Sequence, residues 1–210
     1  MSADVLISAF VTLFVIVDPI GLAPIFLAVT QGMSRAERRR TAIEAALVSF
    51  GVLAGMLFVG EWLLRNLGIG LPAFRIAGGI LLFVIGFEML FERRQRRKAD
   101  DATDVAQDRQ WGLAIFPIAI PLMAGPGALT AAVLLASTAD GDLVSLLSLL
   151  GVFAVVFGIA FVVFLAAPWL ERVFGQKAQQ ILARLLGILL AALAVQFVVD
   201  GIAEAFALRG

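Results

Sequence analysis

The chain has 210 residues, 61% hydrophobic and 15% charged, where soluble domains average about 45–50% and about 25%. It reads as one integral membrane domain, 1–210, with room for several spans of about 20 residues each and none for a soluble domain. Cys and His are absent and the formal net charge is zero, which leaves no disulfide, thiolate nucleophile, zinc site or hydrolase triad. No enzymatic activity, cofactor or nucleic-acid partner is expected.

Apolar runs predict six transmembrane helices, at about Val5–Thr30, Thr41–Leu64, Pro72–Phe91, Trp111–Ser137, Leu143–Leu170 and Ala178–Ala207. At 1.5 Å per residue each crosses a hydrocarbon core of about 30 Å. The first run has no basic residue before it, so it is read as a retained span rather than a cleaved leader. Ser34 and Glu37 stand at capping-box spacing and start the second span, which also carries Gly51 and Gly55, a small-residue face for close helix contact within or between chains. The mixed charges of 92–110 predict a solvated cytoplasmic loop between the halves, about 1–91 and 111–210. Arg and Lys crowd the loops after spans one, three and five, so both termini are expected outside the cytoplasm.

Two of the spans are interrupted. Asp18-Pro19-Ile-Gly21-Leu-Ala-Pro24 breaks the first, and Pro121 to Gly127, with Gly125-Pro126-Gly127 at its end, breaks the fourth. Proline removes a backbone donor and clashes with the preceding turn, and the polar groups so freed must face protein or a polar cavity. Five of the seven prolines, Pro19, Pro24, Pro117, Pro121 and Pro126, fall in these two spans. Pro72 and Pro168 lie at span ends. Arg75-Ile-Ala-Gly78 in span three and Arg184-Leu-Leu-Gly187 in span six share a spacing ahead of an aliphatic run. The expected fold is therefore all-α: six transmembrane helices as two inverted three-helix repeats, each with a broken first helix. Inverted repeats place a substrate site near the midplane, where broken helices meet.

At these residues the sequence resembles the MarC family of bacterial and archaeal inner-membrane proteins, distantly related to LysE-type amino-acid exporters. The resemblance covers nearly the whole chain. It rests on Asp18-Pro-Ile-Gly21 with Pro24, Leu71-Pro-Ala-Phe-Arg75-Ile-Ala-Gly-Gly79, Gly86-Phe-Glu-Met-Leu-Phe91, Pro121-x-x-Ala-Gly-Pro-Gly127, and Arg184-Leu-Leu-Gly187 leading to Gln196 and Gly201. It implies a six-span transporter-like protein of the cytoplasmic (inner) membrane, with small neutral amino acids such as alanine and glycine as substrates.

Asp18 is the one acidic residue placed deep in a span, where an ionised carboxylate costs roughly 2.5–3.5 kcal/mol on insertion scales. Protonation, Na+, the ammonium of an amino acid, or capping of the half-helix beyond Pro19 would each offset that cost. Both second half-helices open with small residues, Gly21 and Ala23, then Gly127 and Ala128, whose amides and positive dipole ends suit a carboxylate; Thr130 adds a hydroxyl one turn on. The expected substrate site is thus Asp18, Pro19, Gly21, Pro24, Gly125, Pro126, Gly127 and Thr130, with Asp18 also the candidate Na+ or H+ site. Gln196 is expected to bond a carbonyl freed at a break, and Thr12 to bond back to its own helix. The reading is a secondary transporter of small neutral amino acids coupled to H+ or Na+, in contact with the lipid bilayer and a candidate homo-oligomer. Its alternatives are an exporter of another small metabolite and a non-transporting membrane interaction protein.

Overall fold

The computed structural model of this chain describes residues 1–91, 119–120, 122–139 and 141–207, apart from the side chains of 171, 172 and 174–177. The described elements are helices: α1 (Ala3–Val17), α2 (Pro19–Val29), α3 (Arg35–Asn66), α4 (Leu71–Leu90), α5 (Pro126–Ser137) and α6 (Leu143–Ala207). The linker 92–110 and the start of the fourth predicted span, with Trp111, Pro117 and Pro121, lie outside the described residues. Among the described residues, five stretches are long and apolar enough to cross a membrane: Ala3–Val29, Arg35–Asn66, Leu71–Leu90, Leu143–Leu170 and Ala178–Ala207.

Local chemistry sets the helix starts. The Ser34 hydroxyl accepts the Glu37 N–H at 3.3 Å while the Glu37 carboxylate accepts the Ser34 N–H at 2.8 Å, a reciprocal cap that starts α3 where the sequence predicts. Pro72 sits in the first turn of α4, where its missing N–H costs nothing. At the α5–α6 turn, Asp142 accepts from both the backbone N–H and the hydroxyl of Ser145, and these bonds hold its carboxyl below the usual carboxylate range.

Between the fifth and sixth predicted spans the structure departs from expectation. The helical hydrogen-bond pattern runs without a break from Leu143 to Ala207, through Pro168. A straight helix of that length would extend roughly 98 Å. Yet Arg75 of α4 bonds both Glu204, near its end, and Ser137, just before its start. The element is therefore two antiparallel limbs, Leu143–Leu170 and Ala178–Ala207, and the chain reverses between them. As a result the α3–α4 turn, the α5–α6 turn and Glu204 gather at one end of the bundle, here called the Arg75 end.

The core lies where α1, α2 and α5 pass between the longer helices. Leu13, Ile16, Leu22, Phe26, Leu82 and Leu134 are fully or almost fully buried, and Phe26 stacks on Phe164 of the first limb with ring centroids 4.5 Å apart. Apolar side chains such as Trp62, Val144 and Phe206 point outward, as a hydrocarbon surround requires.

The tightest packing joins α4 to the second limb of α6. A Cβ built on Gly79 would lie 2.7 Å from the Ala194 carbonyl oxygen, one on Gly86 2.8 Å from that of Gly187, and one on Gly201 2.9 Å from that of Pro72. Small or ring-closed residues recur every seven positions on both partners, at 72, 79 and 86 and at 187, 194 and 201, so two antiparallel backbones touch along the whole of α4. Close approach of this kind replaces hydrophobic burial as the source of helix association in lipid. By contrast, Cβ atoms on Gly51 and Gly55 would meet no atom of the described residues within 4 Å.

Candidate functional site

The first break is built by one residue. Asp18 has φ 55° and ψ 60°, and is the one non-glycine residue in the left-handed region among those described. That conformation disfavours most L-residues but is tolerated by Asp and Asn. Its N–H closes the last turn of α1 on the Phe14 carbonyl at 2.9 Å, and its carbonyl opens α2 by accepting the Leu22 N–H at 3.0 Å. Its carboxylate folds over the new helix end and accepts the Gly21 N–H at 3.1 Å. Pro19 fills the first helical position. Gly21 is required here, because a Cβ at that position would overlap the Asp18 carboxylate. Asp18 is only 3% exposed, and Pro19 and Gly21 are buried with it. Pro24 lies further along α2, half-buried; lacking an N–H, it leaves the Ile20 carbonyl without its helical donor.

The second break is built differently. The Ala124 N–H reaches back five residues to the Ala119 carbonyl at 2.8 Å, a π-type turn that widens the helix just before it ends. That carbonyl also accepts the Ser49 hydroxyl at 3.3 Å, across from α3. Gly125 is then extended, Pro126 takes the first position of α5, and Gly125, the N-cap residue, has no side chain with which to cap the helix. The amides of Gly127 and Ala128 consequently have no intrahelical acceptor. Gly127 is buried, Gly125 half-buried and Pro126 exposed; Thr130 is half-buried and turns its methyl onto Gly78 of α4.

The two breaks are neighbours. The space beside Gly127 is filled by the tip of Ile85, with Leu82 and Ile16 behind it; the Ile16 methyl lies 3.7 Å from where a Gly127 Cβ would stand. Ile16 is two residues before Asp18. Gly127 thus packs beside the last turn of α1, which ends at Asp18, while Pro24 and Thr130 lie a turn further along α2 and α5. Arginine stands at the far end of each half-helix: Arg38 donates to the Thr30 carbonyl beyond α2 at 3.4 Å, and Arg75 donates to the Ser137 hydroxyl of α5 at 3.2 Å. Cations at helix C-termini complement the dipole. Both half-helices therefore direct a positive end toward the breaks, one covered by its own carboxylate and one not.

Two expectations change. Gln196 is exposed and donates to Asp200 at 2.7 Å, one turn along its own helix, rather than to a carbonyl at a break. The Thr12 hydroxyl, 1% exposed, has no partner and does not bond back to α1. Ser49 was not anticipated from sequence; the signal was a single hydroxyl in an otherwise apolar, small-residue turn of span two.

Residues 3–206 match the family model described as MarC family integral membrane protein. A UPF0056 membrane protein of Archaeoglobus fulgidus is 38% identical over 201 residues, 94% of this chain and 92% of that protein. One from Aquifex aeolicus is 35% identical over 93% of this chain and 91% of its own length. The UPF0056 membrane protein YhcE of Escherichia coli is 34% identical over 94% and 91%. No solved structure matches the chain. Near-complete coverage of relatives from bacteria and archaea, together with the apolar helical bundle, establishes that this chain belongs to the MarC family of integral membrane proteins.

Proposed function

We propose that the protein is a secondary transporter of six spans in two inverted halves, moving a small neutral amino acid such as alanine or glycine by alternating access coupled to H+ or Na+. The observation that carries this reading is the meeting of two helix breaks with unlike ends. A carboxylate, Asp18, covers the start of α2, and beside Ile16, two residues before it, the start of α5 presents the amides of Gly127 and Ala128 with no cap from their own N-cap residue, Gly125. A zwitterion matches that pair: its ammonium faces Asp18 and its carboxylate faces the α5 amides. Size supports the same class. Gly21, Ala23, Gly127 and Ala128 leave little room, and Ile85 fills the space beside Gly127 with the far end of a flexible side chain, which one rotamer change vacates. The seven-residue register shared by α4 and the second limb of α6 supports the inverted relation of the halves.

The test is uptake of labelled alanine and glycine into proteoliposomes under imposed Na+ and proton gradients in turn. Accumulation driven by one gradient is expected and identifies the coupling ion. If neither amino acid moves, nor binds to protein shown to be folded, the assignment fails.

A further inference from the structure

Alternating access needs a part that moves and a part that stays. The α4–α6 contact is made by main-chain atoms at Gly79, Gly86, Gly187 and Gly201. No rotamer change relieves such a contact, and a shift of one residue along either helix would set a branched side chain against a backbone. These helices come from opposite halves of the chain, so the halves are bolted together and cannot rock as separate bodies. α5 is held in another way. It sends its own side chains into notches on its neighbours, the Thr130 methyl into Gly78 of α4 and the Val133 methyl into Gly60 of α3, each 2.5 Å from where a Cβ would stand. Side chains can leave such notches by a lateral shift. At its Arg75 end one polar connection secures α5 to the bar: Arg75 is fixed by a 2.7 Å ion pair to Glu204 and donates its other terminal nitrogen to the Ser137 hydroxyl, which itself donates to Leu134 at 2.8 Å. The Arg75 and Glu204 side chains are 19% and 35% exposed, so water is only partly excluded.

We infer that α5 is the moving gate of this protein, that the α4–α6 pair is the fixed bar it closes against, and that Arg75, held on the bar by Glu204, is the latch. This rests on reading the breaks as a site, and it says which wall of that site opens: release of Ser137 from Arg75 lets α5 swing from its notches and brings water from the Arg75 end to the start of α5. Arg75 is a positioning residue and touches no substrate.

The chain has no cysteine, so an introduced one is the sole thiol. Ala128→Cys at the start of α5 and Ala194→Cys in the seam both replace buried alanines, 2% and 0% exposed. In nanodiscs, with no substrate present, each would be reacted with a water-soluble maleimide. Adding Arg75→Gln is expected to raise the labelling rate of Ala128→Cys by about tenfold or more, the population shift for loss of a charge-assisted bond holding a closed state, and to leave Ala194→Cys unchanged. Ser137→Ala, which cuts only the bond to α5 and keeps the ion pair, should give a smaller acceleration in the same direction and stands in if Arg75→Gln misfolds. Unchanged labelling of Ala128→Cys in both backgrounds, or equal acceleration at Ala194→Cys, overturns the latch. Because no amino acid is added, failure of alanine uptake leaves this result intact, and failure here leaves the uptake assay to stand alone.

Discussion

The two broken helices solve one problem in opposite ways. Both must begin a half-helix inside the bundle with a proline in first place and a positive end to satisfy. The first does so from within: Asp18 bends into the left-handed region, closes α1, opens α2 and lays its carboxylate over the Gly21 amide. The second widens through a π-type turn and passes an extended Gly125, which has no side chain to cap α5. The difference teaches that a half-helix behind a proline can be started with a carboxylate cap from its N-cap residue or by an extended glycine that supplies none.

Gly21→Ala should break the first solution most severely, since the new methyl displaces a buried carboxylate from its donor. A loss of about 2–4 kcal/mol is expected for such an orphaned group, measured by thermal unfolding of the purified protein. Asp18→Ala removes cap and conformational tolerance together, for about 2 kcal/mol in all. Asp18→Asn sharpens the comparison. It keeps an oxygen for Gly21 and tolerates the left-handed backbone, so stability should stay within about 0.5 kcal/mol, yet alanine uptake should be lost if the charge receives the ammonium. Uptake at the original rate in Asp18→Asn would reduce the residue to a cap. The smallest effect on stability is expected from Gly125→Asn, which copies the side-chain cap of the first solution onto the second without its charge, at a site whose backbone, φ −75°, is open to L-residues. Melting should shift by only a few tenths of a kcal/mol, since glycine is itself a fair N-cap. If the carboxylate of alanine docks on the α5 amides, alanine binding, read by isothermal calorimetry, should weaken by about fivefold or more as the built-in side-chain oxygen competes for them.

Where the backbone itself is constrained, the sequence was readable. Proline in the first turn marked the starts of α2, α4 and α5, and Ser34 with Glu37 marked that of α3, because these residues act through bonds to their immediate neighbours. Asp18 as a cap was legible for the same reason. Its left-handed geometry was not, nor was the dependence of the cap on Gly21, since both follow from how two helices join. The π-type turn before Gly125 leaves no residue signature, and Ser49 on its carbonyl depends on a contact across 70 residues. Gly51 and Gly55 offer a small-residue face on spacing alone, which no described residue of this chain meets; spacing does not say what such a face of α3 packs against. Gln196 and Thr12 show the same limit: a polar side chain in a span needs a partner, and its position in the chain does not name one.

The seam between α4 and the second limb of α6 also bears on how the protein is made. It joins segments far apart in the chain, and the Arg75–Glu204 pair that finishes it spans 129 residues. Until the last span leaves the translocon, the glycine ridge of α4 has no mate, and contacts so distant along the chain form late. A nascent or truncated chain therefore holds an open ridge toward lipid that any helix with small residues at the same interval can occupy. Completion of the C-terminal span is the step that commits the bundle.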